Sequence, residues 1–405
     1  MRRVVRRLLI LLIAVAGFAR IRRKPHSLQE IRRILLIRPD HLGDLLFTTP
    51  ALAEMRPAFP DAHITYLVGP WSRQVVARSS NIDEVQTCAF PGFRRDAQGA
   101  LEPYRLLWSL AGQLRRQQYD LAIVMRPDFW WGVWLVYLAG IPLRVGHAHE
   151  LQTRFLTLAL PVDLYEHATS QNLRMVRAAA FSLSAKVPSK EAVPGEPPLE
   201  FVPTDDERTW VRERLAAAGI TDKDTIIVIH PGTGAPVKLW EAGSWAKVAD
   251  MIIRAHGAYV VLTGAESERA LVEAVVSQMS EPALALIGET DVGKLAALLA
   301  RAALVLGVDN GPLHLATAQG TPTARIYGPT DPRIFGPWGP QATQKVLQAA
   351  QPCPGCAAIP CGRLDWLPEE LPLHPCVRSV SVEAVLAAAD TLLARTQEYN
   401  QDKNF

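Results

Sequence analysis

The stretch ALVLGVDNGPLHLATAQGTPTARIYG, residues 303–328, decides the fold. It opens on an apolar run, Ala303–Val308, which reads as a buried strand. The punctuating residues Asp309-Asn310-Gly311-Pro312 follow, and then a helical pattern over 312–319. Gly320, Thr321 and Pro322 close the helix, and Thr323–Tyr327 reads as a second buried strand. Strand, helix and strand within 26 residues make one crossover unit of a parallel sheet. Asn310 or Gly311 can cap the helix, and Pro312 suits its first position. The helix start, with its unpaired N–H groups, is an anion site suited to a pyrophosphate.

The same alternation runs outward in both directions. Upstream, strands are expected at Thr225–Ile229, Tyr259–Thr263 and Ala283–Ile287, with helices near 205–218, 244–256, 267–279 and 291–301. This is a doubly wound domain, and ligands of such sheets bind beyond the carboxyl ends of the strands. Those ends are His230–Gly234, Gly264–Glu268, Gly288–Asp291 and Asp309–Gly311. Earlier in the chain, strands are expected at Ile34–Ile37, Ile64–Val68, Val85–Cys88 and Leu121–Met125, with helices at 44–57 and 104–117. Pro50 marks a kink or a fresh helical start. The helical run Phe129–Ile141 carries Trp130, Trp131, Trp134 and Tyr137 and reads as core rather than as a lipid-facing stripe. Between the two halves, Pro188, Pro194, Pro197, Pro198 and Pro203 exclude a helix or an interior strand, so a linker lies there. The chain thus divides into a basic and apolar segment (1–26), a first Rossmann-like domain (27–187), a proline-rich linker (188–204) and a second Rossmann-like domain (205–380). A C-terminal helix and tail (381–405) follow.

Composition excludes several classes. A chain of 405 residues exceeds the size at which one core stops growing, and 49% apolar residues with 20% charged is globular. The N-terminal apolar run, Leu8–Ala19, would make a helix of about 18 Å, too short to span a bilayer of about 30 Å. Arg2, Arg3, Arg6, Arg7, Arg20, Arg22, Arg23 and Lys24 flank it without an acid, and removing those eight cations from a net charge of +3 leaves the body at −5. An acidic body is no nucleic-acid binder. The basic segment has three readings: a helix lying in an anionic membrane surface, a signal peptide with Ala14-Val15-Ala16 as its cleavage signal, or a disordered leader. The arginines at 20, 22 and 23 resist translocation and favour the first.

Three loops carry chemistry. In Arg38-Pro39-Asp40-His41-Leu42-Gly43-Asp44, Gly43 permits a tight turn, and Asp44 is either an N-cap or a general base. In His230-Pro231-Gly232-Thr233-Gly234, backbone N–H groups can cradle phosphate oxygens, and Lys238 beyond it can set an ammonium on a diphosphate. In Gly264-Ala265-Glu266-Ser267-Glu268, either acid can accept from sugar hydroxyls or complement a helix start. His314, on the first turn after Asp309, is either a site residue or core.

Taken together, RPDHLGDLLFTTPALAEMRPAFP (38–60), HPGTGAPVKLWEAGSWAKVA (230–249) and GVDNGPLHLATAQGTPTARIYGPTDP (307–332) resemble glycosyltransferase family 9, the ADP-heptose:lipopolysaccharide heptosyltransferases. The resemblance covers roughly 31–395. It implies a GT-B fold, two Rossmann-like domains facing across a cleft, with the acceptor on the first and the donor nucleotide on the second. It also implies inversion at the anomeric carbon with no cofactor required for catalysis. By resemblance Asp44 matches the catalytic base, Lys238 the diphosphate-contacting lysine, Glu268 the ribose-contacting acid and Asp309 the acid holding the heptose hydroxyls. Thr233, Asn310, Gly311, Leu313 and His314 fall in the same donor-binding loops. Asn310 stands where relatives often carry Thr, and Arg144-Val145-Gly146 resembles an acceptor-side strand. The implied partners are a nucleotide-sugar donor, a lipid-linked saccharide acceptor and the anionic inner membrane, met peripherally from the cytoplasmic side. Rival readings are a sugar-nucleotide epimerase or hydrolase of the same fold, and a sugar-nucleotide-binding module without turnover.

Cys353, Cys356, Cys361 and Cys376 fall in a proline-rich loop, 352–376, with the spacing of a four-thiolate metal site. Structural zinc, an iron–sulfur cluster, free thiols and disulfides are the alternatives. Cys88, alone at a strand end, reads as core.

Overall fold

The computed structural model describes residues 13–21, 23–25, 27–93, 99, 101–182, 197–367 and 369–402. The chain forms two compact units, Met1–Pro197 and Pro198–Phe405. The first is built on a parallel sheet of β1 (Arg33–Arg38), β2 (His63–Val68), β3 (Glu84–Thr87), β4 (Leu121–Val124), β5 (Leu143–His147) and β6 (Leu158–Leu160), in the order β3-β2-β1-β4-β5-β6. The second contains β7 (Ile226–His230), β8 (Tyr259–Gly264), β9 (Leu284–Ile287), β10 (Leu304–Val308), β11 (Thr323–Tyr327) and β12 (Gln344–Gln348), in the order β12-β11-β10-β7-β8-β9. Every pairing is parallel, as crossover helices require.

The central strands are apolar runs because both faces are covered. Ile34, Leu35, Leu36 and Ile37 are fully buried, as are Ile226–Ile229. The edge strands β6 and β12 are only partly buried and alternate less plainly, so apolar runs did not reveal them. The expected helix at 44–57 is two helices, Leu42–Leu46 and Thr49–Ala58, with Pro50 in the first turn of the second.

The aromatic helix Trp130–Leu138 is core. Trp131, Trp134 and Tyr137 are buried, and Trp134 and Tyr137 pack on Phe155. Residues 13–18 are helical and lie on it: Ile13 is fully buried, and the Tyr137 hydroxyl donates to the Ala14 carbonyl at 2.9 Å. Gly17 faces the Tyr137 ring so closely that a side chain there would overlap it. The Arg20 guanidinium donates to Leu138 O and lies 5.5 Å from the Trp108 ring centroid. The apolar run therefore does not offer its whole surface to lipid. Among residues 13–18, Val15 and Phe18 point outward, while residues 1–12 lie outside the described residues. Among the described residues no helix is long and apolar enough to cross a membrane.

Candidate functional site

In the second unit, the carboxyl ends of β7, β8 and β10 bring the expected donor residues together. Asp309 follows β10 directly and is 5% exposed. Lys238 Nζ donates to Asp309 Oδ2 at 3.0 Å, the Thr330 hydroxyl donates to the same oxygen at 2.6 Å, and His314 Nε2 lies 3.8 Å from Oδ1. Burial alone would raise the Asp309 pKa. The His314 contact, the Lys238 charge and the Thr330 hydrogen bond outweigh it and hold the carboxyl well below its ordinary range.

Asn310 is the N-cap of the Gly311–Ala318 helix, its Oδ1 accepting from Leu313 N at 3.0 Å. Its amide nitrogen donates to Gly232 O at 2.8 Å, so one side chain caps the helix and ties the His230–Gly234 loop to it. Gly311 is the first helical residue, which moves Pro312 to the second position. Thr233 Oγ1 reaches Asp309 O at 3.5 Å. Glu268 folds over the same loop. Its Oε2 accepts from Ala265 N at 2.8 Å and sits 3.6 Å from His230 Nε2, and any Cβ at Gly232 would collide with the carboxylate. His230 Nδ1 is 2.9 Å from Thr263 Oγ1. Burial depresses the His230 pKa, with Glu268 opposing.

Leu313 and His314 are buried in the first turn of that helix. Sequence reasoning missed what lies beneath them, the guanidinium of Arg325 in β11, fully buried. It donates to Leu313 O at 3.1 Å and Thr317 Oγ1 at 2.7 Å, and lies 3.1 Å from His314 Nδ1. Arg325 thus fixes the first turn from below. The available signal was a charge at the centre of an otherwise buried strand. Thr330 was also missed.

In the first unit, Asp44 lies in the first turn of the Leu42–Leu46 helix, whose N-cap is His41, so the N-cap reading of Asp44 is corrected. Its side chain is one-third exposed, and Oδ1 lies 3.6 Å from Arg38 Nη2. Arg38 and Asp40 are almost fully buried, and Asp40 also pairs with Arg126. Arg144 donates to the carbonyls of Phe155, Ile141 and Pro142, a structural use that places it in the core of its own domain.

Cys353 and Cys356 lie with His374, their ligand atoms within 4.8 Å of one another, and Cys356 Sγ is 3.4 Å from His374 Nδ1. His374 escaped the cysteine spacing. Cys361 and Cys353 neighbour the Cys356 thiol, and after burial they are what raise its pKa. Burial, then Cys353, pushes Cys376 up to about 12. Cys88 is buried, and burial raises its pKa to about 12.

The family model for glycosyltransferase family 9 (heptosyltransferase) matches residues 107–361, more than half of the chain. The chain belongs to glycosyltransferase family 9. It is 27% identical to Lipopolysaccharide heptosyltransferase 3 of Escherichia coli K12, over 76% of this chain and 84% of that protein. With Lipopolysaccharide heptosyltransferase 1 of Pseudomonas aeruginosa the identity is 26%, covering 89% and 99%. Among solved structures, a glycosyl transferase family 9 protein from Veillonella parvula is similar with a TM-score of 0.70 and 26% identity, covering 90% of this chain and 97% of that one. This family 9 chain is a glycosyltransferase, and its paired six-stranded parallel sheets are the two halves of the GT-B architecture expected from the resemblance.

Proposed function

We propose that this family 9 enzyme transfers heptose from ADP-heptose to a lipopolysaccharide core, inverting the anomeric centre. The observation that carries the reading is the Lys238–Asp309–Thr330 cluster, built on buried Asp309 at the start of the Gly311–Ala318 helix, in a chain whose family is described as heptosyltransferase. An ammonium has three N–H donors, so the bond to Asp309 leaves Lys238 donors for a diphosphate oxygen. The helix start adds its unpaired N–H groups, and together they replace a divalent cation. Asp309 accepts from sugar hydroxyls, and Glu268 from ribose hydroxyls.

Asp44 takes the proton of the acceptor hydroxyl. The acceptor oxygen bonds to the anomeric carbon while the bond from that carbon to the diphosphate oxygen breaks, and the electron pair leaves on ADP. One displacement gives inversion. An epimerase or hydrolase would release free sugar or a rearranged nucleotide, and a binding module would release nothing. Radiolabelled heptose supplied as ADP-heptose with heptose-deficient lipopolysaccharide therefore separates the readings. Label is expected in the lipid, and label only in free sugar would overturn the transfer. Asp44→Asn is expected to keep donor affinity and lose roughly 10²–10⁴-fold in turnover.

Peripheral contact with the anionic cytoplasmic face of the inner membrane is part of the same proposal. Outward-facing Val15 and Phe18 beside the flanking cations support it. Binding to phosphatidylglycerol vesicles that falls as salt rises is the expected result; salt-independent binding, or none, would remove the contact. The Cys353, Cys356 and His374 donors suit zinc before iron, with Cys376 or Cys361 completing the set, as a staple away from the chemistry. About one equivalent of zinc is expected by elemental analysis, and metal-free protein of full stability would exclude the staple.

A further inference from the structure

Arg38, at the end of β1, is 5% exposed and uses its guanidinium in four directions. Nη1 donates to Met125 O at 3.0 Å and to Asn172 Oδ1 at 3.2 Å. Nε lies 2.6 Å from Asp40 Oδ2, and Nη2 lies 3.6 Å from Asp44 Oδ1. Asn172 is itself anchored, donating to Phe47 O at 3.0 Å, just past the helix that carries Asp44. The guanidinium is therefore tied to β4's end, to the Ala168–Ser182 helix and to its own loop, and cannot follow a moving partner.

Two acids compete for it, and their surroundings differ. Asp40 is buried at 3% and has a second cation in Arg126, which also bonds Asp128 at 2.7 Å. Asp40 is thus neutralised within the protein. Asp44 is the acid of this pair that reaches solvent; Arg38 Nη2 lies 3.6 Å from its Oδ1, and the Arg126 charge acts on it as well.

We propose that Arg38 is a positioning residue for Asp44: it fixes the direction of that carboxylate and holds it ionised, while Asp40 and Arg126 hold Arg38. The role rests on Asp44 being the base. A carboxylate beside a guanidinium stays charged to lower pH, and a fixed one presents the same oxygen to every acceptor. Other titratable or charged groups around this network are Asp128, His147 at the end of β5, His167 against Phe47, and Arg174.

The test is transfer from ADP-heptose to heptose-deficient lipopolysaccharide, followed from pH 4.5 to 8, for Arg38→Met, Arg38→Lys and Asp44→Asn. Arg38→Met is expected to lower kcat by about 10- to 100-fold and leave the donor KM within about twofold. The acid limb of kcat/KM should move up by about one pH unit, because one of the two charges that favour ionised Asp44 is gone while Arg126 remains. Arg38→Lys keeps the charge and loses the fork, so the limb should stay while kcat falls about tenfold. If the methionine variant does not fold, the lysine variant decides alone, and wild-type kcat in it would overturn the role. A methionine variant with an unmoved limb and wild-type kcat would overturn it equally. If Asp44→Asn stays active, the base reading itself fails and this role with it; if Asp44→Asn is inactive while both Arg38 variants match wild type, only the positioning role fails.

Discussion

The two halves share one strand order and differ in how polar groups near the carboxyl ends of their strands are partnered. At the carboxyl ends of β7 and β10, the Asp309 carboxylate is met by Lys238, Thr330 and His314, and Asn310 uses both ends of its amide. At the corresponding end of the first half, buried polar atoms have no partner among the described residues: both ring nitrogens of His147, Gln152 Oε1 and Thr169 Oγ1. A buried polar group without a hydrogen bond is costly, and a protein retains one where something else supplies it. The Asp309 cluster thus has its hydrogen bonds made within the protein.

The strongest attack on this contrast is Lys238→Met. It strands a buried Asp309 carboxylate, and breaking a buried pair by one partner costs about 3–5 kcal/mol. Urea unfolding should show that loss together with lost donor binding. Unchanged stability would mean that the donor end is less closed than its contacts indicate.

His147 probes the other half. Burial, with the charges of Arg174 and Arg38, lowers its pKa from 6.5 to about 4. The unfolded chain takes up the proton near pH 6.5 while the folded one refuses it until about 4. Stability contributed by neutral His147 is whole above pH 6.5 and drains away as pH falls toward 4, by about 3 kcal/mol in all. Unfolding measured at several pH values should show this slope, and His147→Leu should flatten it. An equal slope in the leucine variant would place the titration elsewhere.

The smallest effect expected is at Thr330. Thr330→Val removes one hydrogen bond to a buried carboxylate, for about 1.5–3 kcal/mol, with the fold and the Lys238 pair retained. A loss as large as that of Lys238→Met would show that the hydroxyl, not the ammonium, holds Asp309.

Legibility in the sequence follows the same division. Asp309-Asn310-Gly311-Pro312 was readable because strand ends, caps and first helical turns demand those residue types locally. Arg325 was not, since its partners Leu313, Thr317 and Gln344 converge only once β11 and β12 pair. Asp40 and Arg126 are 86 positions apart and meet because β1 and β4 are neighbours. His374 joined the cysteines for a like reason, the loop folding back on itself. Most strands were legible from apolar runs; β6, with three residues, and β12, whose Gln344, Lys345 and Gln348 interrupt any apolar run, were not.

Arg325 has one more consequence. The hydrogen bonds of its guanidinium all go to neutral acceptors: a backbone carbonyl, two threonine hydroxyls, a glutamine oxygen and an imidazole nitrogen. A guanidinium remains protonated across the living range of pH, although burial lowers its pKa. The guanidinium beneath the Gly311–Ala318 helix therefore keeps a standing positive charge that no physiological titration switches off. The Asp309 carboxylate, which acts electrostatically on Arg325, is the negative charge that it meets within the protein. Under the proposed function, a nucleoside diphosphate at this helix start would meet a charge whose presence does not depend on a proton being gained or lost.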